Sequence, residues 1–217
     1  MSWYSVVGSR IYVQSALGTD ITVSTTSNAA PPLVTTSAAH AMVDNDEFLF
    51  KSHDWEELGG TVVRVDQQSA TTFLAKGFDG TNTEFYPSGA SSGVGNKITS
   101  WLQIGQVVGA TGNGGRGRKI TAQPFDKRRP VKKTVGFEDS QLTLEIGFDP
   151  ALSAQIELLA ASQNLGSRAI KFLLPGSAYA YCYGQIALNP IPTFSADSFM
   201  TRSCEIDIEG LWTFVGP

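Results

Sequence analysis

Three glycines in the stretch GNGGRG, namely Gly112, Gly114 and Gly117, stand at the spacing of a dinucleotide-binding turn. That turn works only where a strand precedes it and a helix follows, because the helix N-terminus holds the pyrophosphate. QVVGAT supplies a strand, but the following RKITAQPFDKRRPVKK carries Pro124 and Pro130 and no helical apolar period. A phosphate loop fails as well, since Arg118 follows Gly117 and Ile120 follows Lys119. His40 and His53 are the two histidines, and neither has a Cys or a second His at metal-ligand spacing. DNDEF (44–48) lacks the glycine and the terminal glutamate of a calcium loop. CEIDIEG sets Glu205, Asp207 and Glu209 on one strand face, with Cys204, Ile206 and Ile208 on the other. Alternating carboxylates over an apolar back describe a solvated sheet face more simply than an acid–base pair. No nucleophile elbow and no Cys–His signature occurs. The chain is therefore expected to be no enzyme and to have no catalytic, metal or cofactor site.

Charge is the sharper signal. The chain is mildly acidic at net −4, yet eight of its sixteen Lys and Arg residues fall between 116 and 133. These are Arg116, Arg118, Lys119, Lys127, Arg128, Arg129, Lys132 and Lys133, opposed only by Asp126. The segment carries +7 and the remainder −11. A basic arm could grip phosphates, but one aromatic, Phe125, is a poor stacking platform and the rest of the protein is acidic. A stretch of some 20 residues without structure of its own is usually functional in a compact domain. We read 110–135 as a long, mobile basic loop whose charge complements the body of another subunit.

The elements that would carry these residues are mostly strands. The 22 glycines and ten prolines, with many Thr, Ser and Val residues, argue for short strands joined by turns. RIYVQS (10–15) alternates as a half-buried strand, and SQLTLEIGF, RAIKFLLP, YAYCYGQIAL and RSCEIDIEGLWTF follow the same habit. One helix is expected over about 150–163, with Asp149 as N-cap, Pro150 in the first turn, Leu152, Ile156 and Leu159 as its apolar stripe and Gly166 closing it. No apolar run reaches the roughly 18 residues of a membrane helix, so no membrane insertion is expected. The N-terminus does not read as a signal peptide. Cys182 and Cys204 are too few for a secreted disulfide framework and are expected as buried thiols in a chain made in a reducing cytoplasm.

The order of these pieces resembles that of the major tail tube proteins of long-tailed, non-contractile bacteriophages, the siphophage, lambda-like type. GSRIYVQS looks like that family's first strand, and IGQVVGATG leads into the basic loop. Leu142–Phe148, Pro150–Gln163, Lys171–Pro175, Gly184–Leu188 and Arg202–Gly210 match its later strands and helix. Between them, residues 18–99 are similar to a small β-barrel module of phage tail proteins. Pro32, Val34, Thr35, His40, Leu58, Gly60, Val65, Thr72, Phe73, Leu74, Tyr86, Ser88 and Gly89 carry that likeness. Ala90 stands where the module has a second glycine.

The resemblance implies a mainly β protein: an antiparallel β-sandwich or barrel with one flanking helix, plus an inserted small all-β domain. Residues 1–17 and 100–217 would form the core and 18–99 the insert. It implies a structural virion protein, expressed late in the host bacterial cytoplasm, that forms homohexameric rings stacked into a tube for genome ejection. A tape measure protein, a tail terminator and distal tail proteins are the partners it implies, and double-stranded DNA would pass without specific binding. Glu145, Glu205, Asp207 and Glu209 are the expected lumen-lining residues, since an acidic wall repels phosphates. A ring-only tail protein, such as a terminator or distal ring, and a nucleic-acid-binding module are the alternatives.

Overall fold

Alternating side chains make Arg10–Thr26 (β1) a strand, and its 17 residues are too many for one small sheet. The computed structural model, described for residues 8–89, 91–126, 128–194 and 199–217, shows how that length is used. Ala90 and Lys127, both singled out above, fall outside the described residues.

Five further strands follow: β2 (Leu33–Thr36), β3 (Glu47–His53), β4 (Thr61–Gln67), β5 (Thr72–Lys76) and the long β6 (Gly93–Ile104). β6 runs antiparallel to β1 from the Ile11↔Ile104 pair to the Val23↔Gly93 pair. Register shifts between Gln14 and Asp20 bend this ribbon midway. Beyond the bend, β6 pairs β3, then β4, β5 and β2 follow, and β2 returns to β1 through Val23↔Thr36 and Thr26↔Val34. The ring of pairings closes, so no free strand edge is left there. Phe48, Phe50, Trp55, Val63, Val65, Phe73 and Tyr86 fill its interior. Gly95 is required in that wall, because a Cβ would lie 2.4 Å from the Leu49 carbonyl oxygen and from the Phe48 ring.

The other half of the β1–β6 ribbon enters a second layer. Its strands are β7 (Val107–Gly114), β8 (Gly117–Ala122), β9 (Val131–Phe137), β10 (Ser140–Gly147), β11 (Ser167–Leu174), β12 (Ala178–Leu188), β13 (Thr201–Ile208) and β14 (Thr213–Val215). The sheet continues from β1 in the order β11, β12, β13, β10, β7, all antiparallel, and β14 extends the edge of β12. Leu142, Leu144, Ile146, Cys182, Ile186, Cys204 and Ile206 line its inner face, and α1 (Ser153–Gln163) covers them. The fold is thus mainly β and antiparallel with one helix. Cys182 and Cys204 are both free and buried. No helix among the described residues is long and apolar enough to cross a membrane.

The helix departs from expectation in start, face and end. Asp149 does not cap it: its carboxylate accepts from the Ala151 amide, which holds Pro150–Ala151 in a turn, and the helix begins at Ser153 behind Leu152. The buried face is Ala154, Gln155, Leu158 and Ala161, whereas Ile156 is 55 % exposed. Gln155 sets this rotation, donating to the Gly147 carbonyl at 2.6 Å and accepting from the Asp149 amide at 3.2 Å. Small alanines then allow close approach to the sheet. At the C-terminus the left-handed residue is Leu165 (φ 50°), not Gly166. The Gly166 amide bonds Ala161 and the Leu165 amide bonds Ser162, a Schellman closure one residue earlier than expected.

The largest correction concerns 110–135. It is no unstructured loop: β8 pairs β9 from Gly117↔Phe137 to Ala122↔Val131. Ile120, Thr121, Val131, Thr134 and Val135 are β-branched and favour a pleated ribbon, while Pro124 and Pro130 are left to the tip.

Candidate functional site: a basic arm and an acidic sheet face

β7 and β10 form one edge of the second layer, and the β8–β9 ribbon continues them outward. The junction is held by the Gly115 amide on the Glu138 carbonyl at 3.3 Å and the Glu138 amide on the Arg116 carbonyl at 2.8 Å. Gly114 sits at φ +89°, where an added Cβ would overlap the Asp139 carbonyl oxygen at 1.7 Å. The glycine spacing that resembled a nucleotide motif therefore serves a kink between two ribbon segments. Six cross-strand pairs give the outer ribbon a reach of about 20 Å.

Arg116, Arg118, Lys119, Arg128, Arg129, Lys132 and Lys133 are all exposed on this arm or its tip. Among the described residues none of them takes part in an ion pair. Lys119 faces Thr134 and Thr121 faces Lys132, so these four share one side of the ribbon. Ile120, Val131, Lys133 and Val135 share the other. Ile120 (55 %), Val131 (43 %) and Val135 (41 %) are exposed, and Phe125 is fully exposed at the tip. The apolar side escaped the sequence reading because charge dominates composition; the signal was the β-branched alternation on either side of the prolines.

The carboxylates gather on the outer face of the sheet at the arm's root. Glu145 stands opposite Ser203 and Gly109, Glu205 opposite Thr143 and Ala187, and Asp207 opposite Gln141 and Gln185. All three are exposed, on adjacent strands, back to back with the apolar inner face. Glu209 lies one residue past β13, exposed, its amide bonded to the Tyr183 carbonyl at 3.0 Å and its carboxylate accepting from Ser167. Gln141 donates to Asp207 at 2.9 Å, and Thr201 donates to Glu145 at 3.0 Å. Asp207 and Glu209 also join Glu138 and Asp139 in lining an open cleft of about 690 Å³ beside the kink. Glu138 and Asp139, which the sequence does not single out, reach it because the arm folds as a ribbon. Burial, and then the Glu209 carboxylate, push the Tyr183 phenol up.

The histidines serve the fold. His40 Nδ1 accepts from the Met42 amide at 3.1 Å, and His53 Nδ1 from the Trp55 amide at 3.0 Å. His53 Nε2 meets Thr26 Oγ1 at 3.0 Å, and burial pushes its pKa down to about 4.

The two layers meet through a polar lock. Lys171 pairs with Glu47 at 3.1 Å, both largely buried, and the Tyr181 hydroxyl and Trp101 indole N–H reach the same carboxylate at 3.3 and 3.4 Å. Lys171 also lies over the Trp101 ring at 4.4 Å. Nearby, Gly60 and Gly210 touch backbone to backbone; a Cβ on Gly210 would lie 2.2 Å from the Gly60 carbonyl oxygen.

No curated protein matches this chain. The family model described as phage tail tube protein, TTP, matches it from residue 53 to residue 217, which is most of its length and includes the arm, the acidic face and the helix. The chain belongs to the phage tail tube protein family, as a structural subunit of the virion tail.

Proposed function

We propose that the protein forms homohexameric rings that stack into the tail tube and serve as the conduit for genome ejection. The observation that carries this reading is the arm: a ribbon whose cations stand in no ion pair among the described residues, reaching beyond its own sheet in a member of a tube-forming family. Ring closure would cover the free edge of β7, a side on which the second layer lacks a neighbour among the described strands. Glu145, Glu205, Asp207 and Glu209 would line the lumen, where an acidic wall keeps the duplex from adhering as it passes. The closed barrel over 18–99 is an inserted module turned outward, and 1–17 with 100–217 is the tube core. Tape measure, terminator and distal tail proteins are its partners by family likeness. The arm docks on neighbouring protomers.

The test is deletion of 117–137, joining Arg116 to Glu138 by a short turn where hydrogen bonds already bring them together. A folded monomer that no longer forms tubes in negative-stain images is the expected result. Normal tubes from the shortened chain would refute the arm's role. Rings that never stack, from the intact chain at high concentration, would assign it to a ring-only tail protein instead.

A further inference from the structure

A second cavity, sharing no residue with the arm or the acidic face, opens where the barrel meets the core layer. It holds about 770 Å³, within the range of small-molecule sites, and lies between the turn after β5 and the β12–β14 edge. Gly77 brings these elements together. Its φ is +94°, and a Cβ there would stand 3.0 Å from the Val215 side chain.

Arg64 lines this cleft with its charge unanswered. On β4 it stands directly opposite Glu47 of β3 and Lys76 of β5. Glu47, the natural counter-ion, turns instead to Lys171, Tyr181 and Trp101. Lys76, a like charge, pairs with Asp66 at 2.8 Å. The Arg64 guanidinium lies over the Tyr179 ring at 4.1 Å, and its Nε is shut off from solvent with no hydrogen-bond partner. Among the described residues no carboxylate pairs with it and none accepts from it. A guanidinium donor buried without an acceptor is costly, so the site favours an incoming one. A planar fork held flat against a ring is already oriented for two parallel bonds to a carboxylate or phosphate.

The rest of the cleft suits a hydroxyl-bearing body. Asn45 (φ 71°) on the barrel and Ser177 (φ 63°) on the core layer line it from left-handed turns. Neither side chain makes a hydrogen bond among the described residues. Asp79 uses one carboxylate oxygen for the Thr81 amide and hydroxyl, at 2.9 and 2.7 Å, which leaves the other for a hydroxyl donor. Pro31 and Val215 add apolar surface for the C–H face of a ring. The same Asp79 charge disfavours a polyanion such as nucleic acid. We propose that this cleft binds an anionic saccharide, one whose carboxylate or phosphate is taken by Arg64 and whose hydroxyls are taken by Asn45, Ser177 and Asp79. The inference does not depend on tube assembly.

The test titrates the full chain with glucuronate, glucose 6-phosphate and glucose, read by amide and arginine Nε–H nuclear magnetic resonance. At least one anionic sugar is expected to bind with a Kd of about 1 mM or tighter, and glucose at least about tenfold more weakly. Whichever anion binds better identifies the acid group that Arg64 takes. The saturable shifts should centre on the Arg64 Nε–H and on the amides of Gly77, Asp79 and Ser177. Arg64→Met, which keeps a stem over Tyr179 without the charge, should lower the affinity by about tenfold or more. Ser177→Gly, compatible with the left-handed backbone, should lower it by about threefold and serves should Arg64→Met not fold. No saturable shift with either anionic sugar overturns the proposal. So do shifts that lie elsewhere, equal binding of glucose, or undiminished binding by folded Arg64→Met.

Discussion

At Gly210 a single hydrogen in place of a methyl group decides whether the two layers meet. Its contact with the Gly60 backbone leaves no space for a Cβ, and backbone cannot move aside as a flexible side chain can. Gly210→Ala should destabilise by about 2 kcal/mol, within the range for overpacking, measured by urea unfolding. His53 gives a pH signature. Its pKa is about 4 in the folded protein and about 6.5 when unfolded, so between those values the unfolded state binds more protons. The stability it contributes is complete above about pH 6.5 and declines as pH falls toward about 4. His53→Gln should flatten the pH dependence of unfolding in that window by up to one bound proton. An unchanged slope would place the titration elsewhere.

Among the elements, the helix illustrates how a sequence signal can be right in kind and wrong in detail. Its existence follows from composition and from the stop near Gly166, but its face depends on Gln155 finding the Gly147 carbonyl across the chain. The stop itself carries strain, because Leu165 adopts a left-handed conformation with its side chain 74 % exposed. Leu165→Gly should therefore stabilise the protein by about 0.5–1 kcal/mol, since a poorly buried side chain is lost and the strain is relieved. The arm is the second instance. Its described cations are exposed and stand in no ion pair among the described residues, so reversing Arg128 and Arg129 to Glu should slow tube growth and reduce its salt dependence without changing monomer stability. Equal growth of wild type and variant across a salt series would remove steering from its role.

At the scale of the molecule, two layers share the β1–β6 ribbon and are fastened by the Glu47–Lys171 pair. Both side chains are mostly out of water, with ring faces and two further donors around them. Lys171→Ala leaves the Glu47 carboxylate without its counter-charge and should cost about 3 kcal/mol. Lys171→Met combined with Glu47→Gln should cost less than the sum of its parts, and a double-mutant cycle reads the difference. Additive losses would show that the pair does not couple the layers.

Local residue preference by itself determined the mainly β class, the single helix, the buried thiols and the segregation of charge into one basic stretch and an acidic strand face. Each of these depends on neighbours within a few residues: alternation in Leu142–Ile146, a turn at Asp149–Pro150, carboxylates at every second position from Glu205. Only the tertiary structure decided the rest. That 110–135 folds as a ribbon depends on Gly117–Ala122 finding Val131–Phe137 across a proline-bounded tip. That Asp207 and Glu209 face Glu138 and Asp139 depends on strands distant in sequence becoming neighbours. The barrel closes because β2 returns to β1. Pairing over such distances is set by which edges and faces are left unsatisfied once the local elements exist, and no local pattern records that.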